Sequence, residues 1–259
     1  MAFAVCTVSI MPLRLASDDR SEMVTQVLFG ESFEVLEKSS NWAYVRLSYD
    51  RYEGWADPKQ FTLIDDEEMN RIGTETMFYS ADLVQVLMVD KTKQMIPLLL
   101  GSHLPGLIQN RIKLGEITYN YDGAFVKASQ HTLRKTIIGN AMMYLNAPYL
   151  WGGKNPFGID CSGFTQMVYK ISGIALSRDA SLQAQQGETI NFITDALVGD
   201  LAFFDNQDGK IIHVGIMLGD NKIMHASGKV RIDAIDHQGI FNVEARKYTH
   251  KLRLIKSFV

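Results

Sequence analysis

Short apolar segments separated by turn residues fill the first 64 residues, and this spacing constrains the fold more than any other feature of the chain. The apolar start AFAVCTVSI predicts a first strand, and the segments that follow are VSIMPLR, EMVTQVLFG, SFEVLEKSS, WAYVRLSYD and YEGWAD. Strands that recur every 8 to 12 residues or so are typical of a small barrel or sandwich. We therefore predict a small all-β barrel or sandwich over residues 1–64.

The next 60 residues again have β character. The acidic stretch DDEEMN, residues 65–70, predicts a linker. Beyond it, LVQVLMV and QMIPLLLG have the composition of strands, and YNYDG has that of a turn. We predict a second small all-β unit over residues 70–126.

From residue 127 the pattern changes to helices followed by strands, which predicts an α+β domain over residues 127–259. A first helix is expected in SQHTLRKTIIGNAMMYLN, with Ser129 or Gln130 near its cap. Its predicted apolar face is formed by Leu133, Ile137, Ile138, Met142 and Leu145. A second helix should begin near Cys161 and end at Gly173. The segments VGDLAFFD, KIIHVGIML and KIMHAS predict an antiparallel sheet.

Composition excludes several classes of protein. The chain has 259 residues, a formal charge of -3 and 21% charged residues, so no polycationic surface for nucleic acid is expected. No window of about 18 uncharged apolar residues is present, and we expect no membrane span. The only cysteines, Cys6 and Cys161, lie far apart in the sequence, which predicts no disulfide framework. A reducing cytoplasmic location fits best, with the periplasm as the alternative if a leader is removed.

The thiol of Cys161 lies where the glycine-rich loop WGGKNPFGID is expected to become a helix. Three roles are open for it: a packed core side chain, a metal ligand or a nucleophile. The amides and dipole of a helix N-terminus favour an anion, so we expect this position to lower the pKa of the thiol. A nucleophilic cysteine requires the thiolate.

Two histidines in a predicted hairpin favour the nucleophile. His213 alternates with the apolar face of its strand, which contains Ile212, Val214, Ile216 and Leu218. If the loop is the three residues 219–221, His225 lies opposite Gly215 and both imidazoles share one face. A strict two-residue loop would place them on opposite faces, so a shared face requires an odd-length or bulged turn. One imidazole can then take the thiol proton while the other orients it.

A metal site is the alternative for the same residues, because Asp160, Cys161, His213 and His225 are all potential ligands. Zinc sites usually include a pair of ligands that are close in sequence, whereas here the two histidines are twelve residues apart and a second ligand cysteine is missing. We therefore predict no metal and no cofactor.

Several motifs in the last domain are similar to those of the NlpC-type cysteine peptidases of bacterial peptidoglycan metabolism, which are relatives of papain. They are APYLWGGKNPFGIDCSGF, VGDLAFFD, HVGIML and MHAS, and the resemblance covers residues 128–257. It implies that Cys161 is the nucleophile, His213 the base and His225 the orienting third member. Tyr149 matches a family tyrosine that lines the oxyanion hole or the adjacent subsite. Asp160 and Ser162 match positions that contact the substrate, although Ser162 also suits the first turn of a helix.

The first domain resembles the bacterial Src-homology-3-like barrel of cell-wall enzymes in the segments PLR, GESFEVLE, NWAYVRL and YEGW. With a second barrel of the same type expected over residues 70–126, the whole chain is similar to a narrower group, the dipeptidyl peptidases that cut the bond between γ-D-glutamate and an L-diamino acid in murein peptides with a free N-terminal L-alanine. This resemblance implies that Tyr52 and Glu22 of the first barrel, with Asp179, help to bind the substrate. Ala180 departs from the pattern, which often has serine there.

Two other functions remain open. One is a cell-wall-binding protein whose barrels attach to peptidoglycan, and the other is a papain-like amidase or acyltransferase that uses the same nucleophile. The choice between meso-diaminopimelate and L-lysine in the substrate is open, and a monomer is expected. The remaining cysteine and histidines are predicted to be structural or surface residues: Cys6, His103, His131, His237 and His250.

Overall fold

The structure is a computed structural model of the chain and describes residues 2–39, 41–128 and 133–259. It divides into two compact units, residues 1–128 and residues 129–259. Ser129, Gln130 and His131, for which a helix cap and a structural histidine are predicted, lie outside the described residues.

The first unit begins with seven antiparallel strands in one sheet, as the strand spacing predicts. They are β1 (Ala2–Cys6), β2 (Ile10–Arg14), β3 (Met23–Leu28), β4 (Ser32–Lys38), β5 (Ala43–Leu47), β6 (Glu53–Ala56) and β7 (Phe61–Ile64). The order across the sheet is β3-β2-β6-β5-β4-β1-β7. Inward residues alternate with outward ones, and Met11, Phe33 and Val45 are fully buried in the core.

The acidic stretch predicted as a linker instead forms helix α1 (Asp66–Thr74). Asp65 caps it by accepting a hydrogen bond from the Glu68 amide at 2.8 Å. Arg71 contacts Glu68 at 2.7 Å and Glu75 at 2.9 Å along the helix, and Ile72 is buried. Acidic residues in the first turn also suit the positive end of the helix dipole, so the charge that suggested a linker stabilises a helix.

Residues after α1 form a four-stranded sheet and a two-stranded ribbon. The strands are β8 (Phe78–Ser80), β9 (Val84–Val89), β10 (Met95–Leu99), β11 (Arg111–Leu114), β12 (Ile117–Tyr121) and β13 (Phe125–Lys127). The sheet order is β10-β9-β12-β11, and β13 pairs with β8. Leu87 and Tyr119 share a buried core with Val5 and Phe29 from the first sheet. The predicted turn YNYDG is wrong in part, because its first three residues end β12. The second barrel of Src-homology-3 type stays a prediction.

The second unit begins with helices α2 (Arg134–Met142), α3 (Cys161–Ile171) and α4 (Ala180–Gln183). The predicted face of α2 is wrong in part, although Ile137 is buried as expected. Ile137, Ala141 and the following Tyr144 are fully buried, whereas Leu133, Met142 and Leu145 are exposed. Helix α3 is buried along its whole length and ends before Gly173, whose φ of 85° suits glycine, as predicted.

An antiparallel sheet follows these helices. Its strands are β16 (Glu188–Ile190), β17 (Leu201–Asp205), β18 (Ile211–Gly219), β19 (Lys222–Ser227), β20 (Lys229–Ile235), β21 (Gly239–Asn242) and β22 (Lys247–Ser257), and the short strands β14 (Lys154–Asn155) and β15 (Gly158–Ile159) pair with each other before α3. The order is β16-β22-β17-β18-β19-β20-β21, and β22 also pairs with β21. Helix α3 packs on β18 and β19. The first residue of α3 is therefore placed against the strands that contain His213 and His225.

None of the helices among the described residues is long and apolar enough to cross a membrane.

Candidate active site

Cys161 is the first residue of α3, as the sequence predicts, and its side chain is buried. Asp160 is the N-cap and accepts a hydrogen bond from the Gly163 amide at 2.7 Å. The Cys161 sulfur lies beside two backbone amides, that of Ser162 and that of Val214 on β18. Since Val214 directly follows His213, the thiol lies against the stretch of β18 that contains His213.

The glycines before and within α3 permit this arrangement because the loop packs directly against the helix. A Cβ on Gly163 would lie 2.3 Å from the carbonyl oxygen of Gly153 and 2.9 Å from Oδ1 of Asp160. The Gly152 amide donates to Oδ2 of Asp160 at 2.8 Å. A side chain at position 163 would therefore push the loop away from the nucleophile.

The expectation that the helix start lowers the pKa of Cys161 is wrong. Burial, with the neighbouring Asp160 carboxylate, raises the pKa of this thiol to about 12, against the amides of Val214 and Ser162 and the Arg178 guanidinium, which act to lower it. The resting thiol is therefore protonated, and its use as a nucleophile requires a base at the moment of attack.

The hairpin of β18 and β19 has the predicted register near the site. His225 lies opposite Gly215, and a bulge falls between Met217 and Gly219, so the shared face arises from a bulged turn. The predicted three-residue loop is wrong in detail, because Gly219 pairs with Lys222 around a two-residue turn. Asp220 and Asn221 fill that turn with φ of 48° and 55°, which these residue types tolerate.

Nε2 of His213 and Nδ1 of His225 are 2.8 Å apart and share a hydrogen bond. Both histidines are buried, at 5% and 1% exposure. A Cβ on Gly215 would lie 2.9 Å from the Cβ of His225, so glycine is required opposite that residue. The prediction that only one face of β18 is buried is wrong. Ile212 of the predicted apolar face is exposed, and both faces of the strand are buried from His213 to Met217.

Asp233 extends this chain and was missed by the sequence analysis. Its Oδ2 accepts a hydrogen bond from Nε2 of His225 at 2.9 Å, and Arg231 donates to the same carboxylate at 2.7 Å. Burial acts to raise the pKa of Asp233, but the hydrogen bonds from His225 and Arg231 outweigh it and lower this pKa. The signal was present, because Arg231 and Asp233 alternate on the strand after His225 and face the same side.

His250 was predicted to be a structural or surface residue without a partner in the site, and this prediction is wrong. Its ring stacks on that of His213, with centroids 4.1 Å apart and an interplanar angle of 25°. His250 is half-buried on β22, and no local sequence pattern connects it with His213. Of the other residues grouped with it, Cys6 and His103 are buried in the first unit and His237 is exposed.

The stacked histidines are neutral near pH 7. Burial, followed by the neighbouring His250 and His225, holds the pKa of His213 well below its usual value near 6.5. Burial and His225 lower the pKa of His250 to about 4, with Asp233 opposing them. His213 can therefore accept a proton but does not hold one at rest.

Ligand nitrogens of His213, His225 and His250 lie within 4.8 Å of one another, a distance at which a metal ion could bind. The ring orientations oppose it. A metal binds in the plane of each imidazole, and the stacked planes of His213 and His250 do not converge on one point. The bond between Nε2 of His213 and Nδ1 of His225 also occupies two of the nitrogens. The cluster fits a hydrogen-bonded chain better than a metal centre.

Tyr149 lies close to the nucleophile. Burial, followed by the nearby Cys161 and Asp160, raises the pKa of its phenol to about 12, so the hydroxyl stays a hydrogen-bond donor. The Tyr149 amide donates to the carbonyl of Gly228 at 2.9 Å, which ties the loop to the end of β19. With 37% of its surface exposed, the side chain remains open to a ligand.

Arg178 was also missed, and it engages both residues that flank the nucleophile. Its guanidinium donates to Oδ2 of Asp160 at 2.5 Å, to Oδ1 at 3.0 Å and to Oγ of Ser162 at 2.9 Å. Arg178 is 2% exposed, so this is a buried, bidentate ion pair. Asp160 and Ser162 thus support the loop at the helix start, and their contacts with substrate stay predictions.

Asp179 directly follows Arg178 and is the N-cap of α4, which packs on α3 and β18. Gln183 of α4 donates to the carbonyl of Ser162 at 3.0 Å. This places Asp179, which is half-buried, on an element that contacts the catalytic helix.

Tyr52 and Glu22 belong to the first unit. Tyr52 is half-buried against the core of the seven-stranded sheet, and its amide donates to Asp50 at 3.0 Å. Glu22 is exposed, and its carbonyl accepts a hydrogen bond from the Leu15 amide at 2.9 Å. The second unit thus groups Cys161 with the other site residues that were predicted within residues 129–259. The roles of Tyr52 and Glu22, which lie in the first unit, stay predictions.

Comparison with known proteins agrees with this architecture. A sequence profile of the NlpC/P60 family matches residues 146–247, and a profile of the bacterial dipeptidyl-peptidase Sh3 domain matches residues 13–61. The chain is 32% identical over 247 residues to dipeptidyl-peptidase 6 of Lysinibacillus sphaericus, covering 85% of this chain and 87% of that protein. It is 31% identical to a γ-D-glutamyl-L-lysine dipeptidyl-peptidase of Bacillus subtilis, covering 78% of this chain and 71% of that protein.

A solved structure supports the fold. An NlpC/P60 family protein from Bacillus cereus superposes with a TM-score of 0.84 at 23% identity, covering 98% of this chain and 99% of that one. The predictions of an NlpC-type domain and of a Src-homology-3-like domain before it are confirmed. This chain belongs to the NlpC/P60 family of cysteine peptidases.

Proposed function

We propose that this enzyme is a dipeptidyl peptidase that hydrolyses the bond between γ-D-glutamate and an L-diamino acid in short murein peptides with a free N-terminal L-alanine. It releases L-Ala-γ-D-Glu. The observation that carries the chemistry is the hydrogen-bonded chain from His213 through His225 to Asp233, next to the thiol of Cys161. The substrate class is supported by the dipeptidyl-peptidase Sh3 domain and by relatives named as dipeptidyl peptidases.

The hydrogen-bond chain assigns a proton to each nitrogen. Asp233 is an acceptor, so Nε2 of His225 carries a proton and its Nδ1 accepts from Nε2 of His213. Nδ1 of His213 is then the basic nitrogen and takes the proton from the Cys161 thiol. This tautomer is the one that a general base opposite the thiol requires.

The reaction then proceeds in two halves. The Cys161 sulfur bonds to the γ-carbonyl carbon of D-glutamate as His213 takes the thiol proton, and the carbon–nitrogen bond breaks as His213 returns that proton to the leaving amine. Water, deprotonated by His213, hydrolyses the thioester and restores the thiol. The Tyr149 phenol, neutral because burial, Cys161 and Asp160 raise its pKa, donates to the oxyanion or to the adjacent subsite.

Asp233 makes the proton transfer feasible. The raised pKa of Cys161 and the lowered pKa of His213 both oppose an ion pair at rest. When His213 becomes positive during the attack, the carboxylate of Asp233 stabilises that charge through His225. The thiolate therefore forms only while the substrate is attacked.

The free ammonium of the substrate needs carboxylate partners when it is bound away from water. We assign Glu22 and Asp179 to it, with Tyr52 as a hydrogen-bonding neighbour, following the resemblance to the dipeptidyl peptidases. Asp160 was predicted for the same role, but its two oxygens already accept from Arg178, Gly152 and Gly163. In this proposal it adds negative potential while its main contacts hold the loop.

We also propose the domain organisation, oligomeric state and location of the enzyme. Residues 127–259 form the papain-like peptidase domain, and residues 1–64 and 70–126 form two Src-homology-3-like barrels. The enzyme acts as a monomer in the cytoplasm, where murein peptides are recycled, and the periplasm is the alternative location.

Product analysis tests the proposal. The enzyme is incubated with L-Ala-γ-D-Glu-L-Lys, with its meso-diaminopimelate counterpart and with the N-acetylated forms of both, and the products are identified by mass spectrometry. We expect L-Ala-γ-D-Glu and the free diamino acid from the unblocked peptides only. Cleavage at another bond, acyl transfer without hydrolysis, or equal turnover of the acetylated peptides would contradict it, and binding to intact sacculi without turnover would favour a wall-binding protein.

A further inference from the structure

The ring of His213 is held on more than one side. His225 bonds to its Nε2, His250 lies against its face, and Phe204 contacts it with ring centroids 5.7 Å apart. Phe204 is the partner of His213 in the pairing of β17 with β18, so these two side chains stand side by side on the sheet.

His250 is itself fixed in place. It pairs with Ile240 of β21, at the point where β22 leaves β17 and joins β21. Its Nδ1 lies 2.9 Å from Oγ1 of Thr249, and Phe204 contacts its ring with centroids 5.9 Å apart. These contacts restrict the movement of the His250 ring.

The hydrogen bond from Nε2 to His225 restrains one end of the His213 ring, but a hydrogen bond tolerates a range of angles. Within that range the ring can still tilt about its Cα–Cβ and Cβ–Cγ bonds, and a tilt changes the position of Nδ1. A stacked ring at 4.1 Å opposes this rotation, because tilting His213 drives its edge into the face of His250. Together the two contacts define one ring plane.

We propose that His250 is a positioning residue that fixes the plane of the His213 imidazole, so that Nδ1 stays directed at the Cys161 thiol. The inference rests on the proposed peptidase function and adds to it a residue that lies outside the hydrogen-bonded chain. His250 does not contact the reacting atoms in this scheme and acts through His213.

The charges around His213 also determine which protonation state of His250 is compatible with catalysis. The titratable groups that act on it are His250 from β22 and His225 from β19, with Asp233 and Arg231 beyond His225, and the Cys161 sulfur lies at the neighbouring Val214 amide. A proton on His250 would place a positive charge against His213 and oppose its protonation during catalysis. A neutral His250 is therefore required, and its lowered pKa of about 4 meets that requirement near neutrality.

Two substitutions separate stacking from titration. His250→Phe keeps a flat ring against His213, and His250→Ala removes it, while His237→Ala serves as a control at an exposed histidine of the same unit. We expect His250→Ala to lower kcat about tenfold with KM changed less than about twofold, because a misplaced base slows chemistry without weakening binding. We expect His250→Phe to stay within about threefold of the wild-type kcat.

The rate of Cys161 alkylation by iodoacetamide across pH gives a readout that needs no substrate. Without His250, water reaches His213 and less burial holds its pKa down, so a protonated His213 persists to higher pH. We therefore expect the acid limb of the alkylation profile to move to higher pH in His250→Ala and less in His250→Phe. This readout reports on Cys161 and His213 even if the proposed substrate is wrong. A His250→Ala enzyme that matches wild type in kcat and alkylation overturns the proposal, as does a folded His250→Phe enzyme that is as slow as His250→Ala.

Discussion

His225 joins His213 to Asp233: one of its ring nitrogens lies 2.8 Å from Nε2 of His213, and the other lies 2.9 Å from the Asp233 carboxylate. Both histidines are almost completely buried, so these bonds form in an environment of low dielectric, where they are strong and where a missing partner is costly. The catalytic unit in this account is thus four residues long rather than three.

The first prediction concerns Asp233. Replacement by asparagine removes the charge that stabilises a positive His213 and allows the wrong tautomer of His225. We expect Asp233→Asn to lower kcat by roughly 10- to 100-fold with little change in KM, a smaller loss than at a carboxylate in direct contact with the base. Steady-state kinetics on L-Ala-γ-D-Glu-L-Lys measures it.

Glu244→Gln is the matched control, because Glu244 pairs with Arg231 at 3.4 Å but is 82% exposed. It should leave kcat unchanged. Equal losses in the two variants would mean that a general change of charge, and not the chain through His225, slows the reaction.

The second prediction concerns stability at acid pH. The pKa values of His213 and His250 are lower in the folded protein, mainly because of burial, so below pH 6.5 the unfolded chain binds more protons than the folded one. Stability therefore falls as pH decreases from about 6.5 to about 4. Thermal unfolding at steps of pH measures this decline.

His250→Phe tests the assignment, because it removes one of the two groups while keeping a ring in place. We expect the decline of Tm between pH 6.5 and about 4 to be shallower in this variant than in wild type. Parallel curves for the two proteins would show that His250 does not contribute.

The third prediction concerns Arg178. Its removal leaves the buried Asp160 carboxylate without its cation, which typically costs about 3–5 kcal/mol. We expect Arg178→Met to lower the free energy of unfolding by an amount of that order, measured by urea titration. The double variant with Asp160→Asn, which keeps a helix-capping side chain, should recover part of the loss. Additive losses in the double variant would argue against a direct ion pair.

The fourth prediction concerns recognition of the substrate amine. Glu22→Gln and Asp179→Asn each remove one charge assigned to the ammonium, and we expect each to raise KM about tenfold or more for the unblocked tripeptide. Tyr52→Phe should have a smaller effect. The control is Asp18→Asn, another acidic residue of the first unit, whose carboxylate is exposed beside Arg20. If the three variants behave like the control, the ammonium is bound elsewhere.

The sequence predicted the hairpin and the helix start of the site well, and the reason is local. Side chains alternate between the two faces along β18 and β19, and Asp220 and Asn221 form a two-residue turn between the strands. With such a turn, both imidazoles can share a face only if the hairpin contains a bulge. The helix start near Cys161 and the end at Gly173 are also properties of short segments.

What the sequence did not reveal depends on contacts between distant segments. His250 reaches His213 only because β22 pairs with both β17 and β21, and Arg178 reaches Asp160 from the loop just before α4. The pKa of Cys161 was predicted in the wrong direction because the helix dipole is local, whereas the burial that outweighs it comes from the whole domain. Helix α1 differs, since the cap at Asp65 and the pairing of Arg71 with Glu68 and Glu75 were readable from sequence.

The most direct test of the central claim is the covalent intermediate. The enzyme is mixed with L-Ala-γ-D-Glu-L-Lys, quenched in acid at short times and examined by intact-protein mass spectrometry and peptide mapping. We predict a transient mass increase equal to the L-Ala-γ-D-Glu acyl group on the peptide that contains Cys161, and neither adduct nor product with Cys161→Ala. An adduct on another residue, or turnover by Cys161→Ala, would contradict the account.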